Sequence, residues 1–140
     1  MGEYNHTIDA KGRLIIPSKY REVLGDEFVV SRGLDGCLFV YDKVEWAKFQ
    51  EEIYALPLIS DSRHFSRYFM SGAVTVEVDK QGRILLPASL REFAKLDKDV
   101  KLIGAGRRAE IWNRELYEQT VENVDIDEVM ARMSAMGLII

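Results

Sequence analysis

The chain contains one nine-residue segment twice, so any fold assigned to it must have two matching parts. Residues 9–17 read DAKGRLIIP and residues 79–87 read DKQGRILLP, at a spacing of 70 residues. The similarity extends to Arg21 and Arg91, which stand at the same spacing. Because self-similarity at a fixed spacing marks a duplicated structural unit, the sequence predicts two copies of one supersecondary element.

Each copy of the segment has the pattern of a β-hairpin. Residues 4–8 and 73–78, which precede the segments, alternate in polarity or carry β-branched side chains, as strands do. An aspartate followed three residues later by a glycine predicts a turn, since aspartate bonds local backbone amides and glycine accepts a positive φ. The residues predicted to shape the two turns are Asp9, Gly12, Asp79 and Gly82. An arginine and three aliphatic residues then form the return strand.

Further hairpins and capped helices complete the predicted pattern. Short helices are expected over residues 18–24 and 88–95, beginning after the proline that ends each segment. A second hairpin follows in each copy and leads into a helix capped by Asp42 or Asn113. We therefore expect an α+β fold. Its predicted parts are a first repeat over residues 3–46, a helical connection over 47–72, a second repeat over 73–117, and a C-terminal helix and tail over 118–140.

The composition is that of an ordinary soluble protein, with 47% hydrophobic and 30% charged residues. The sequence lacks an apolar run of the roughly 20 residues that a membrane span needs. Residues 1–7 also lack the apolar core of a signal peptide. We therefore expect a cytoplasmic protein without membrane contact. Cys37 is the only cysteine, which excludes an intrachain disulfide and a thiolate metal cluster.

Charge is distributed unevenly along the chain, whose net charge is −4. Basic residues outnumber acidic ones in residues 60–108, and the two balance in residues 1–34. The acidic excess lies in residues 35–59 and 109–140, which are predicted to be mostly helix and tail. The hairpin segments are thus neutral to basic and suit a polyanionic partner, because a ligand responds to the local field. Solvated acidic helix faces would give the same distribution, so charge alone leaves both interpretations open.

The arginine after each turn, Arg13 and its copy Arg83, has no role that the backbone requires. A turn needs aspartate and glycine for conformational reasons, whereas the next position accepts many residue types. We therefore interpret both arginines as candidates for binding a ligand outside the fold. An ion pair between each arginine and the aspartate of its own turn is the structural alternative, and the two roles are compatible. Lys11 and Lys80 add a cation to each turn.

Double-stranded DNA is the partner that fits these residue types best. A two-stranded ribbon can enter the major groove, and the arginine fork bonds either O6 and N7 of guanine or two phosphate oxygens. Lysines in the same turns can neutralise phosphates. Catalysis is poorly supported, because His6 and His64 stand in unrelated contexts and no nucleophile-elbow or phosphate-loop motif is present. We expect no enzyme activity, no cofactor, no bound metal and no small-molecule ligand.

The two segments resemble the paired DxxxR motifs of the MraZ family, and residues 2–8 and 32–38 also look like that family. The resemblance covers essentially the whole chain. It implies two SpoVT/AbrB-type swapped-hairpin repeats that interlock into a pseudo-twofold barrel with flanking helices. It also implies that the chain assembles into a ring-shaped homo-oligomer.

The same resemblance implies a nucleoid-associated transcriptional regulator, usually a repressor, at the promoter of the division and cell wall gene cluster. Members of the family bind short G-rich direct repeats in that promoter. Carried over by position, Arg13 is the first expected DNA contact and Arg83 is its partner. One departure is that Gln81 replaces the lysine found at Lys11, which leaves the positive charge of the second turn to Lys80 and Arg83.

A protein-binding module is the main alternative function. Antitoxin relatives of this fold bind protein partners, and the chain is acidic overall with an apolar tail. A steep fall of DNA affinity with salt would favour DNA recognition, because phosphate contacts release counterions. Salt-insensitive capture of a protein would favour the alternative. An enzyme is a distant third possibility, because no catalytic constellation can be named and fold alone does not settle function.

Overall fold

The structure, a computed structural model, describes residues 2–139, so Met1 and the last residue of the predicted tail, Ile140, lie outside it. The strands are β1 (Glu3–Thr7), β2 (Arg13–Ile15), β3 (Glu27–Arg32), β4 (Leu38–Tyr41), β5 (Val74–Glu77), β6 (Arg83–Leu85), β7 (Asp99–Ala105) and β8 (Arg108–Asn113). The helices are α1 (Ser18–Leu24), α2 (Lys43–Tyr54), α3 (Ser60–Ser71), α4 (Ala88–Phe93), α5 (Arg114–Glu122) and α6 (Ile126–Ala135). The chain therefore has the predicted α+β composition. Within residues 2–139, no helix combines the length and apolar character that a bilayer crossing requires.

Two of the helix starts follow from side chains that the sequence places just before them. The Asp42 carboxylate accepts the backbone N–H of Glu45 at 2.7 Å, and Asn113 caps α5 in the same way. These bonds satisfy N–H groups that a helix cannot pair internally, so α2 and α5 begin where predicted. Helix α4 ends at Phe93 rather than at the predicted Lys95, because Lys95 adopts a positive φ of 55° and leaves the helix.

The two repeats exchange strands. β1 of the first repeat pairs with β7 of the second, and β5 of the second repeat pairs with β3 of the first. These pairings contribute to one antiparallel sheet with the strand order β1-β7-β8-β4-β3-β5. β2 and β6 instead pair with each other in a separate antiparallel ribbon, with Leu14 opposite Ile84. Each repeat therefore depends on the other for a neighbouring strand.

The strands of residues 2–139 do not close into a hydrogen-bonded barrel, so the expected pseudo-twofold barrel is not confirmed. Their hydrogen bonds form a six-stranded sheet, whose edges are β1 and β5, and the two-stranded ribbon. A bridge between Ile8 and Leu14 connects the two near the first turn. Because β2 and β6 are each only 3 residues long, few ladder bonds are available to close the sheet on itself.

The larger sheet is covered on both faces. Along β3, Phe28 and Val30 belong to a core shared with the ribbon, α1 and α4, whereas Val29 belongs to a second core. Alternation of side chains along a strand produces this division. The second core is mostly aromatic and includes Phe39, Tyr41, Trp46, Phe69 and Trp112. Leu14 and Ile84 are fully buried in the first core, so the ribbon is held by its inner face and leaves its outer face to solvent.

Strand exchange predicts that the two repeats unfold together. The chain has 2 tryptophans, Trp46 on α2 and Trp112 on β8, so Trp46→Phe and Trp112→Phe each leave one fluorescent reporter in one half. Adding Leu14→Ala should lower the free energy of unfolding by about 2–5 kcal/mol in both backgrounds, because it removes fully buried side-chain atoms. Denaturant unfolding followed by tryptophan fluorescence measures this change.

The matched control is Ile15→Ala, since Ile15 is the neighbouring residue and is 47% exposed. It should change the free energy of unfolding by about 1 kcal/mol or less. If Leu14→Ala shifted the unfolding reported by Trp46 and left that reported by Trp112 unchanged, the repeats would be independent units and this prediction would be wrong.

Candidate nucleic-acid interface

The first repeated segment forms a turn that its aspartate ties together. Asp9 Oδ1 accepts the backbone N–H of Lys11 at 3.0 Å and that of Arg13 at 2.9 Å. Asp9 Oδ2 accepts Arg13 Nε at 2.7 Å. Gly12 donates its N–H to the Asp9 carbonyl at 3.0 Å and has a φ of 88°, a conformation that a side chain would strain. One carboxylate thus fixes both the turn and the direction of the arginine side chain.

The second segment reproduces this geometry. Asp79 Oδ1 accepts the backbone N–H of Gln81 and of Arg83, both at 2.9 Å, and Oδ2 accepts Arg83 Nε at 3.0 Å. Gly82 has a φ of 78° and donates to the Asp79 carbonyl at 3.0 Å. The change from lysine to Gln81 leaves the turn unaltered, because this position contributes its backbone N–H rather than its side chain.

Both aspartates favour the charged form in these turns. The backbone N–H of Arg13 is the main cause that lowers the pKa of Asp9, and the Arg13 guanidinium lowers it further. Arg83 lowers the pKa of Asp79 in the same two ways. The carboxylates are therefore ionised at neutral pH and hold the arginines by charge-assisted hydrogen bonds.

The ion pair within each turn, raised above as a structural alternative, is present, but neither arginine is sealed in the core. The side chains of Arg13 and Arg83 are 34% and 26% exposed. The side-chain hydrogen bonds of both guanidinium groups within residues 2–139 use Nε. The edge formed by Nη1 and Nη2 is therefore available for a planar, bidentate contact with an anion or a base.

Strand register brings the two arginines onto one surface. In the ribbon, Arg13 stands opposite Leu85 and Ile15 stands opposite Arg83. Directly paired residues of an antiparallel ribbon point to the same side, and here that side is the solvent side, because Leu14 points into the core. We call the surface of Arg13, Ile15, Arg83 and Leu85 the outer ribbon face. The two turns thus lie at opposite ends of one short ribbon rather than on separate arms.

Two further arginines, Arg21 of α1 and Arg91 of α4, cross from one repeat to the turn of the other. Arg91 Nε donates to the Leu86 carbonyl at 3.0 Å. The Arg91 side chain also lies against Gly12, so closely that a Cβ added to this glycine would be only 2.7 Å from Arg91 Nε. Arg21 is the counterpart, and its Cζ would lie 3.5 Å from a Cβ on Gly82. Each turn therefore has one arginine from its own repeat and one from the other repeat.

Sequence reasoning did not select Arg21 and Arg91, although a signal for them was present. They recur at the same spacing of 70 residues as Arg13 and Arg83, at matching positions of the short helices α1 and α4. Their proximity to the opposite turn depends on how β2 and β6 pair, which the sequence does not specify. Repetition of an arginine at matching positions of two short helices was the usable clue.

Three cationic side chains accompany the aspartate of each turn. Lys11, Arg13 and Arg91 accompany Asp9, and Lys80, Arg83 and Arg21 accompany Asp79. Lys11 and Lys80 are exposed. Groups of histidine, cysteine, aspartate and glutamate that could hold a metal ion are absent from residues 2–139. The arrangement can therefore bind a polyanion through guanidinium and ammonium groups.

Comparison with known proteins gives full-length matches. The model of a protein family described as "MraZ protein, putative antitoxin-like" matches residues 1–67 and 69–136, one match for each half of the chain. The protein named transcriptional regulator MraZ in Thermoanaerobacter pseudethanolicus is 55% identical over 141 residues, which cover 99% of both chains. That of Lachnoclostridium phytofermentans is 53% identical and covers 99% of this chain and 97% of its own.

A third relative, the transcriptional regulator MraZ of Heliobacterium modesticaldum, is 59% identical over 120 residues, covering 85% of this chain and 84% of its own. The family match therefore extends over both repeats and includes both arginine-bearing turns. On these matches, the chain belongs to the MraZ family.

Proposed function

We propose that this chain is a sequence-specific DNA-binding transcriptional regulator that reads duplex DNA with its outer ribbon face. The observation that carries this function is the pair of turns in which an ionised aspartate directs a partly exposed arginine, placed by register on one face of one ribbon. Curated relatives of similar length carry the name transcriptional regulator, which agrees with such a role.

The turns suit recognition because they are organised before DNA arrives. Arg13 and Arg83 lose little side-chain freedom on binding, since Nε is already bonded to an aspartate. Each can then give its Nη edge to O6 and N7 of a guanine. Arg21, Arg91, Lys11 and Lys80 flank the ribbon and contact phosphates, which set orientation rather than sequence.

The DNA target that we propose follows from the family resemblance. It is a set of short G-rich direct repeats in the promoter of the division and cell wall gene cluster, where the protein acts as a repressor. The regulator would then be cytoplasmic and associated with the nucleoid. Guanine-rich repeats agree with arginine as the reading residue, because the guanine edge offers two acceptors in the geometry of the arginine fork.

We also propose that several copies of the chain form a ring. One ribbon is a small contact surface, and linking many weak contacts on one assembly raises overall affinity without any new interaction. A series of identical ribbons would match a series of direct repeats in the DNA. Within each copy, we propose that the ribbon and the larger sheet together correspond to a swapped-hairpin barrel with an incomplete hydrogen-bonded seam.

Removing a turn arginine should weaken DNA binding without unfolding the protein. We expect Arg13→Ala to weaken binding to a duplex from the chain's own upstream region by at least about 5- to 150-fold, since the loss of one bidentate base contact costs about 1–3 kcal/mol and the substitution is present in every copy of the assembly. Arg13→Lys should lose most of this affinity too, because it keeps the charge but not the fork. Fluorescence anisotropy of labelled DNA measures the dissociation constant.

Arg107→Ala is the matched control, because it removes the same charge from the β7–β8 turn, where Arg107 pairs with Glu45 and Glu52. Its affinity should stay close to that of the unaltered protein. Circular dichroism and sedimentation show whether each variant remains folded and assembled. If the double variant Arg13→Ala, Arg83→Ala still bound the duplex with unchanged affinity, the proposed role of the turns would be refuted.

The arginines from the opposite repeat should act on phosphates. Arg21→Gln and Arg91→Gln are each expected to make the slope of log affinity against log salt concentration shallower, by about 0.9 for every phosphate that is no longer neutralised in the bound assembly. Discrimination between the target and a scrambled duplex should change little, since phosphate contacts carry no sequence information. Binding isotherms at several salt concentrations test both points. A changed preference with an unchanged slope would instead assign these residues to base contacts.

A further inference from the structure

Helix α6 has an apolar face that no other element within residues 2–139 buries. Ile126, Val129, Met130 and Met133 recur at spacings of three and four, which places them on one side of the helix. None of the residues of α6 is buried, and Met130 is 43% exposed. Contiguous apolar surface of this kind marks an interaction site, and methionine adapts its shape to a partner.

A second exposed apolar surface lies where α2 ends and α3 begins. Tyr54, Leu56 and Leu58 line a concavity there, and Leu58 is 85% exposed. Arg63 and Arg67 of α3 line the same concavity. We call it the α2–α3 groove. Because α6 and this groove are both exposed in one chain, the helix does not cover the groove of its own subunit.

The two surfaces carry opposite charges. Acidic residues cluster where α5 ends and α6 begins, and they are Glu122, Asp125, Asp127 and Glu128. In the groove the charged side chains are Arg63 and Arg67. The ion pairs found within residues 2–139 do not involve either arginine. An acidic helix with an apolar face therefore complements a basic groove with an apolar floor.

We propose that α6 of one copy docks by its apolar face into the α2–α3 groove of a second copy, with Asp125 and Asp127, which flank that face, against Arg63 and Arg67. This contact rests on the proposed self-association and is independent of DNA binding. It would cover two exposed apolar surfaces of every copy at once. A second copy is the partner because the chain itself supplies both complementary surfaces.

Docking of this kind is head-to-tail, because the helix and the groove are different patches of the same chain. Each bound copy still offers a free helix or a free groove, so association continues until the assembly closes on itself. A closed ring leaves no apolar helix face exposed. The outer ribbon face takes no part in the contact and stays accessible in every copy.

Two variants that each damage one surface test the contact. Leu56→Asp with Leu58→Asp places charge in the groove, and Met130→Asp with Met133→Asp places charge on the helix face. The replaced side chains are all partly or largely exposed, so the fold should persist, as tryptophan fluorescence and circular dichroism can verify. In sedimentation equilibrium without DNA, each variant alone should fall from the assembled state to the single-chain mass of 16.1 kDa.

Mixing the two variants gives the sharper result. The groove variant keeps its helix and the helix variant keeps its groove, so one complementary pair of surfaces remains. We expect a 1:1 complex of twice the single-chain mass. Nothing larger should form, because the two surfaces left free in this complex are the damaged groove of one variant and the damaged helix of the other. A mixture that stays monomeric would overturn the docking arrangement.

Two acidic substitutions elsewhere serve as controls. Ala131→Asp lies on the opposite side of α6, and Val23→Asp replaces an exposed apolar residue of α1. Both should stay assembled like the unaltered protein. An unaltered protein that sediments as single chains, or variants of the helix or groove that stay assembled, would also overturn the contact. These sedimentation experiments contain no DNA, so they test only the docking contact. The DNA-binding proposal is tested separately, with the arginine variants and a duplex.

Discussion

Hydrogen bonds between β1 and β7, and between β5 and β3, hold the edge of each repeat against the other repeat. A lone repeat would leave these strand edges unpaired in water and its share of the first core uncovered. The pairing of β2 with β6 follows from the same exchange, because each of these strands continues from a strand already placed in the other half. The two copies of the sequence therefore make one core.

The exchange also assembles the candidate interface. The ribbon is fixed from below by Leu14 and Ile84, so its other side must face solvent, and this side carries Arg13 and Arg83. The same interlocking brings Arg91 of the second repeat to the turn of the first. Aspartate at the start of each turn has two roles, since it closes the turn and directs the arginine. Fold stability and ligand presentation thus depend on the same bonds.

The two halves differ where the chain leaves the shared core. Helix α3 packs on the sheet through Phe69, whereas none of the residues of α6 is buried within residues 2–139 and Met130 and Met133 stay exposed. The helix that follows the first repeat, α3, therefore contributes a side chain to the core, whereas α6, which follows the second repeat, does not. The head-to-tail contact proposed above uses this difference, because it joins two unlike surfaces of the same chain.

Local features of this protein were determined by its sequence. The turns at Asp9 and Asp79, the start of α2 at Asp42 and the α+β composition depend on residues a few positions apart, whose chemistry can be read directly. Only the tertiary structure decided that Arg13 and Arg83 share a face, that Arg21 and Arg91 reach the opposite turns, and that β2 and β6 form a ribbon separate from the six-stranded sheet. The physical reason is that these outcomes depend on the register between β2 and β6. That register is set by the packing of residues 70 positions apart in sequence, and no local pattern encodes it.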